Sequence, residues 1–311
     1  MLRDEDVAAL GWGDVLGALE DAFLAPGRYT MVDRVMLPAA AGGAYLTMPC
    51  SDADGWFGVK QVSVLPANPS RGLPSVQAWY TLFGPDGRPA LGCEAGVLTK
   101  LRTAAVSALA ARELAPPEAR SLLMIGTGAL APWMIRAHLQ VRPYTSVRVW
   151  GRDSARAAEL VAALRDELTD LPSRPSLLVA DDLESAVRRS DVLSVATTAR
   201  TPLVRGAWLG PRHHVDLVGA FSAGMRESDL AAVRACDVVV DQHAAARHEA
   251  GDLIAAAEEG WSWEQVVGDL QQVLSAQVRR RPDRPTLFKS VGLAYEDLAV
   301  ARLLATPDAV G

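Results

Sequence analysis

The 311-residue sequence predicts an α/β fold in two parts, a parallel-sheet domain and a second domain of mixed α+β structure. Three observations carry this expectation. From Ser121 onward, apolar strand-like runs alternate with helix-like segments. Before that point, short strand-like runs are separated by turn signals, and Pro116-Pro117 marks the change.

The opening segment reads as a helix because Val7, Leu10, Val15, Leu16, Leu19 and Phe23 recur at roughly helical spacing. Strand-like runs follow at 44–48, 58–65 and 77–83, divided by Asp54-Gly55, Pro69-Ser70-Arg71-Gly72 and Pro85-Asp86-Gly87. They predict a mostly antiparallel sheet leading into a helix at 103–114. Beyond the prolines, strands are expected at 121–125, 146–150, 176–180, 191–196, 214–219 and 237–240. Helices are expected at 132–141 and 153–168, the latter with Asp153 or Ser154 as N-cap. Strands separated by helices imply right-handed βαβ units and hence a parallel sheet. A Phe288-Lys289-Ser290-Val291-Gly292 turn and a helix at 293–305 close the chain.

Composition excludes several classes. Half of the residues are apolar, enough for two ordinary cores. Lysine and arginine number 31 against 37 acidic residues, a net charge of −6 without the clustered basic face that nucleic acid requires. The Arg279-Arg280-Arg281-Pro282 run reads as a solvated loop. Cys50, Cys93 and Cys236 lack zinc or redox spacing, and read as buried apolar groups in a reducing cytoplasm. No signal peptide is expected at the start, and no stretch approaches the ~20 apolar residues of a membrane span. The histidines have no companions at catalytic or metal-ligand spacing, so no metal is expected. His138 is expected to face outward or to pack on its own helix.

The first specific motif is Leu122-Leu123-Met124-Ile125-Gly126-Thr127-Gly128-Ala129-Leu130-Ala131, a strand running through G-x-G-x-x-A into a helix. Gly126 permits the tight turn, Gly128 the approach of a pyrophosphate to the backbone, and Ala131 close packing of helix on sheet. Pro132 stands where the first helical turn needs no N–H donor. Placed between a strand and a helix, with a second strand at the right distance, the motif predicts a Rossmann-type dinucleotide site. Gly126, Thr127, Gly128, Ala129 and Leu130 are its expected contacts. The expected cofactor contacts also take in Ala196, Thr197 and Val218. After the second strand, Gly151 replaces the acid typical of NAD sites and Arg152 could grip a 2′-phosphate, which favours NADPH over NADH. Asp153 reads as the cap of the following helix.

Three basic residues lie in apolar or strand-like surroundings, where a cation is costly unless partnered: Arg34, Lys60 and Arg102. Each alone reads as a surface cation; together they could form a pocket for a small anion. Glu94, just before the Arg102 helix, could orient that arginine.

Arg34, Gly58-Val59-Lys60, Leu98-Thr99, Arg102-Thr103-Ala104-Ala105, Gly126-Thr127-Gly128-Ala129, Val218-Gly219, Arg226-Glu227-Ser228-Asp229 and Phe288-Lys289-Ser290-Val291-Gly292 occur in this order. Over nearly its whole length the chain thus resembles the ornithine cyclodeaminase and mu-crystallin family. The resemblance implies a homodimer with a discontinuous substrate-binding and dimerisation domain, residues 1–115 with 290–311, around a dinucleotide domain at 116–289. It implies that Arg34, Lys60 and Arg102 hold a substrate carboxylate. It also places Thr103, Val291 and Gly292 at the same site, with Thr103 counted among the cofactor contacts.

Within that family, cyclodeaminases carry a catalytic aspartate just after the Val-Gly strand and a glutamate before the Met-Pro step. This chain has Ala220-Phe221 and Leu46-Thr47-Met48-Pro49 there. Phe221 cannot accept a proton, but could pack on the carbon skeleton of a ring. Arg136-Ala137-His138-Leu139-Gln140-Val141-Arg142-Pro143, Val149-Trp150-Gly151-Arg152 and Glu249-Ala250-Gly251-Asp252-Leu253 resemble the branch of Δ1-pyrroline-2-carboxylate and Δ1-piperideine-2-carboxylate (ketimine) reductases. The implied reaction is hydride transfer to a cyclic α-imino acid, giving proline or pipecolate. Lys60 is the candidate proton donor if burial lowers its pKa, with water as the alternative. The competing readings are a cyclodeaminase or linear amino-acid dehydrogenase on the same fold, and a mu-crystallin-like protein that binds NADPH or a small ligand without turnover.

Overall fold

The computed structural model describes residues 3–40, 42–168 and 174–305. The chain forms two compact units, Met1–Thr103 with Gly292–Gly311, and Ala104–Val291. The unit boundary thus falls at 103/104 and 291/292, against the expected 115/116 and 289/290.

The chain begins with α1 (Asp4–Ala8), α2 (Trp12–Leu24), β1 (Tyr29–Met31), β2 (Val35–Pro38), β3 (Ala44–Asp52) and β4 (Phe57–Val64). It continues through β5 (Val76–Phe83), β6 (Pro89–Glu94) and α3 (Ala95–Leu114). The second unit then carries β7 (Ser121–Ile125), α4 (Ala131–Val141), β8 (Ser146–Trp150), α5 (Ser154–Glu167), β9 (Ser176–Val179), α6 (Leu183–Arg188) and β10 (Val192–Val195). After these come β11 (His214–Leu217), α7 (Leu230–Ala235), β12 (Asp237–Val240), α8 (His243–Glu249) and α9 (Gly251–Glu258). Last are β13 (Val266–Asp269), α10 (Leu270–Leu274), β14 (Thr286–Lys289) and α11 (Ala294–Arg302).

The first unit is built on an antiparallel sheet ordered β1-β3-β4-β5-β6, with β2 sharing the β1 edge of β3. The two-residue period of the strands sends Met48 and Cys50 of β3, Lys60 of β4, and Tyr80 and Leu82 of β5 into the interior. α11 belongs to this unit. Tyr295 stacks on Tyr29 at 5.3 Å and meets Phe23 of α2 edge-on at 5.2 Å. Arg302 Nη1 donates to Asp52 at 2.6 Å and to Asp54 at 2.9 Å. These contacts are why the last helix returns to the N-terminal unit.

In the second unit all described strand pairs are parallel, in the order β13-β12-β14-β11-β10-β7-β8-β9. Its core is a continuous apolar cluster that includes Leu123, Ile125, Leu193, Val195, Val215, Leu217, Val238 and Val240. Near-unbroken aliphatic strands of this kind suit a sheet covered on both faces. Asp216 of β11 is buried there between the hydroxyls of Ser107 (3.0 Å) and Ser194 (3.1 Å), and burial pushes its carboxyl up to about 7.

Several elements differ from expectation for identifiable reasons. Phe288 and Lys289, expected in a turn, instead end β14, which lies between β11 and β12 as a fully buried strand. Its lysine disguised it; Lys289 is buried and donates to the Leu217 carbonyl at 3.1 Å. α3 starts eight residues before the expected position, because Ala95, Leu98 and Leu101 already present a buried helical face. His138 takes the second of its two expected placements, packing on its own helix rather than facing outward. It is fully buried, with Nδ1 2.8 Å from the Met134 carbonyl oxygen, and burial pushes its pKa down to about 4. Among the described residues no helix is long and apolar enough to cross a membrane, and no group of three or more His, Cys, Asp or Glu could hold a metal ion.

Candidate active site

In the first unit, Arg34, Lys60 and Arg102 converge on the start of α11. Lys60 projects from the buried face of β4, and its ammonium donates to Asp297 at 2.6 Å. Arg102, in α3, donates from Nη1 to Glu296 at 2.6 Å, with Nε 3.3 Å from Asp297. Arg34 sits in the interruption between β1 and β2, where residues 32–34 face only Met48 and Pro49 of β3. Its Nη2 donates to the Gly292 carbonyl at 3.2 Å. Gly292 has φ +84°, and a Cβ there would stand 2.5 Å from Arg102 Nη1, so only glycine fits against the guanidinium.

Three cations, Arg34, Lys60 and Arg102, and the carboxylates Glu296 and Asp297 thus lie together around Gly292 and the start of α11. Burial pushes the Lys60 ammonium down to about 8; Asp297 opposes that shift, while Arg102 and Arg34 add to it. Lys60 can therefore carry a proton at neutral pH and give it up with modest driving force.

In the second unit the glycine-rich turn lies where strand order reverses. β7, β8 and β9 progress in one direction, whereas β10 lies on the other side of β7. In such sheets ligands bind beyond the carboxyl ends of the strands at the reversal point. Gly126–Leu130, Gly151-Arg152, Ala196-Thr197 and Val218 all follow or end neighbouring strands there. Gly126 has φ +120°, and a Cβ would lie 2.4 Å from the Ala196 carbonyl oxygen. Gly128 is exposed and a Cβ there would meet nothing within 4 Å, so its backbone is open to an incoming phosphate. The N-terminus of α4 has no side-chain cap. A side chain at 151 would approach Thr127 Cγ2 to 2.7 Å. Arg152 is exposed, whereas Asp153 is occupied as the α5 cap, accepting from the backbone N–H of Ala155 at 3.0 Å and Arg156 at 3.4 Å. These features fit a dinucleotide.

Residues 6–306 match the ornithine cyclodeaminase/mu-crystallin family. The chain belongs to this family. It is 37% identical over 301 residues to the Delta(1)-pyrroline-2-carboxylate/Delta(1)-piperideine-2-carboxylate reductase of Azospirillum brasilense, covering 96% of this chain and 92% of that one. Its fold matches Thermococcus litoralis Delta(1)-pyrroline-2-carboxylate reductase in complex with NADH and L-proline, with a TM-score of 0.91 at 30% identity. That match covers 98% of this chain and 95% of the other. An archaeal alanine dehydrogenase dimer with bound NAD is also similar, with a TM-score of 0.89 at 29% identity and coverage of 98% and 94%.

In this member of the ornithine cyclodeaminase/mu-crystallin family, two acidic residues of the cation cluster escaped sequence reading. Glu296 and Asp297 stand in the first turn of a helix, where acids ordinarily offset the helix dipole at the surface. Both are fully buried. The available signal was their position between Ala294-Tyr295 and Leu298-Ala299-Val300. Glu94 does not take the orienting role expected of it: it ends β6 exposed, and the carboxylates on Arg102 are Glu296 and Asp297. Thr103 is half-buried next to Arg102, and Phe221 is 49% exposed just beyond β11. Val291 is buried, its backbone N–H donating to Asp241 at 2.6 Å.

Proposed function

We propose that this chain is an NAD(P)H-dependent ketimine reductase that converts Δ1-pyrroline-2-carboxylate and/or Δ1-piperideine-2-carboxylate to proline or pipecolate. The observation that carries this reading is the gathering of Arg34, Lys60 and Arg102 around Gly292 and α11. The similarity to reductases named for these two imines adds to it. When bound, a reduced nicotinamide supplies the hydride. Arg34 and Arg102 hold the substrate carboxylate and so fix the orientation of the C=N bond. Lys60 holds a proton at Nζ for the imine nitrogen, so the reduced carbon gains hydride while the nitrogen gains the proton. Asp297 keeps that ammonium in place. Phe221, exposed, and Thr47 stand at the two positions where cyclodeaminases carry acids, and neither side chain can accept a proton or anchor a distal ammonium, which argues against cyclodeamination.

NADPH is the preferred reductant in this reading, because Gly151 leaves room and Arg152 is available to a 2′-phosphate. Gly126–Leu130, Gly151, Arg152, Ala196, Thr197 and Val218 would hold the dinucleotide, with Thr103 as a further contact. The chain acts as a cytoplasmic homodimer: Val35, Met36 and Leu37 of edge strand β2 expose apolar surface, and the three cysteines are buried and unpaired. Light scattering after gel filtration should then give twice the 33.1 kDa chain mass.

The deciding experiment follows NADPH and NADH oxidation with both cyclic imines, with ornithine and with pyruvate plus ammonia. Turnover of a cyclic imine is the expected result. Activity confined to ornithine or to pyruvate plus ammonia would overturn it. The second of these outcomes would favour a linear amino-acid dehydrogenase, the reading that the likeness to alanine dehydrogenase supports.

A further inference from the structure

The segment Arg226-Glu227-Ser228-Asp229 plays no part in the reaction described above, yet Glu227 is completely buried. One of its oxygens accepts from the backbone N–H of Thr197 at 2.7 Å and from the Thr197 hydroxyl at 2.8 Å. The other accepts from the backbone N–H of Gly219 at 2.8 Å. Thr197 follows β10 and Gly219 follows β11, neighbouring strands of the parallel sheet. A single carboxylate therefore ties two adjacent strand ends together.

The surroundings are built around that tie. A Cβ on Gly219 would lie 2.1 Å from the Thr197 carbonyl oxygen and 2.3 Å from Glu227 Oε1. The Glu227 backbone N–H donates to Asp252 at 2.8 Å, and its carbonyl accepts from Leu203 at 2.8 Å and Val204 at 2.9 Å. Among the strand-end positions read as cofactor contacts, Ala196, Thr197 and Val218 flank or form the tethered points.

We propose that Glu227 is a positioning residue for the dinucleotide, holding the ends of β10 and β11 in the shape that receives it. This rests on the reading that the cofactor lies across these strand ends. An ionised carboxylate satisfies all three donors; on protonation one oxygen carries an O–H, so either the Thr197 hydroxyl reverses to accept it or a backbone N–H loses its acceptor, and the tie is weakened. Burial lifts the Glu227 carboxyl to about 7, opposed by Lys289 of β14 and the Thr197 donors and reinforced by Asp252 of α9. Cofactor affinity should consequently weaken as pH falls through neutrality.

Calorimetric binding of NAD⁺, which has no 2′-phosphate to titrate, tests this on the full chain at pH 8 and pH 6. Wild type should bind up to about tenfold more weakly at pH 6, the limit for a single group titrating near 7. Glu227→Gln should weaken binding about tenfold at pH 8, the scale of one lost buried charged hydrogen bond, and should flatten the pH dependence. Glu227→Asp keeps the charge but is too short to reach both strand ends, and should lose affinity at pH 8 similarly. Wild-type affinity for both variants, or an unchanged wild-type Kd between the two pH values, overturns the proposal. The second criterion stands even if neither variant folds. Binding of neither NAD⁺ nor NADP⁺ by wild type would instead remove the cofactor reading beneath it.

Discussion

At the scale of single residues, the proposed chemistry turns on a buried lysine whose neighbours pull its proton affinity in opposite directions. Burial lowers the proton affinity of Lys60, while Asp297 restores some of it. In the proposed reaction Lys60 must be charged to give its proton to the imine nitrogen, so kcat/KM should decline as pH rises through about 8. Asp297→Asn removes the restoring charge. It should move that decline to lower pH and reduce kcat/KM at pH 7 roughly 10- to 100-fold, as expected for loss of a hydrogen bond between charged groups. A pH–rate profile of the two proteins checks this, and superimposable profiles would detach Asp297 from Lys60. At the dinucleotide end, Arg152→Ala should raise KM for NADPH about tenfold while leaving KM for NADH nearly unchanged, because only the former offers a phosphate to the guanidinium. Equal losses with both cofactors would refute the assignment.

At the scale of elements, adjacent side chains have separate tasks that one substitution can tell apart. Arg152 points to the cofactor reading, whereas Asp153 accepts from two N–H groups in the first turn of α5. Asp153→Ala should cost about 1 kcal/mol of stability, the usual loss for an N-cap, with no change in the affinity for NADH. Denaturant unfolding and NADH titration of the same variant measure the two effects. A changed NADH affinity with intact stability would make Asp153 a ribose contact instead. The elements most easily read in sequence were those with local grammar. β7, the glycine turn and α4 were legible because a buried strand, two glycines and a proline occur in a fixed order. β14 was not, since a buried lysine and its hydroxyl-bearing first residue, Thr286, imitate a polar turn until β11 and β12 flank it.

At the scale of the whole molecule, buried ionisable groups set opposing pH dependences. His138 is pushed to about 4, and burial also lowers His213 and His214, so below about 6.5 the unfolded chain binds protons that the folded chain refuses. Their effect is a loss of stability as pH falls from about 6.5 toward 4. Asp216 and Glu227, raised to about 7, act in the other direction: they hold protons in the folded state that the unfolded chain has released, and favour folding as pH falls below 7. His138→Leu removes one destabilising group and leaves the carboxyls, so its Tm should fall less between pH 7 and pH 5 than that of wild type. Differential scanning calorimetry at the two pH values decides it, and an equal fall would show that His138 does not contribute.

What the sequence by itself determined was the pair of architectures, the dinucleotide turn, the family and the three cations that stand out from apolar surroundings. These are properties of order and spacing along the chain, and local chemistry expresses them directly. The partners of those cations were decided only by tertiary structure. Lys60 and Asp297 are far apart in sequence and meet because Tyr295 and Arg302 anchor α11 within the first unit. Glu227 likewise reads as one acid in a polar segment until folding aligns β10 beside β11 and leaves both strand ends within reach of its carboxylate. Burial is the physical reason in both cases. A charge on a sequence carries no sign of the water it will lose, and that loss depends on segments brought together from distant parts of the chain.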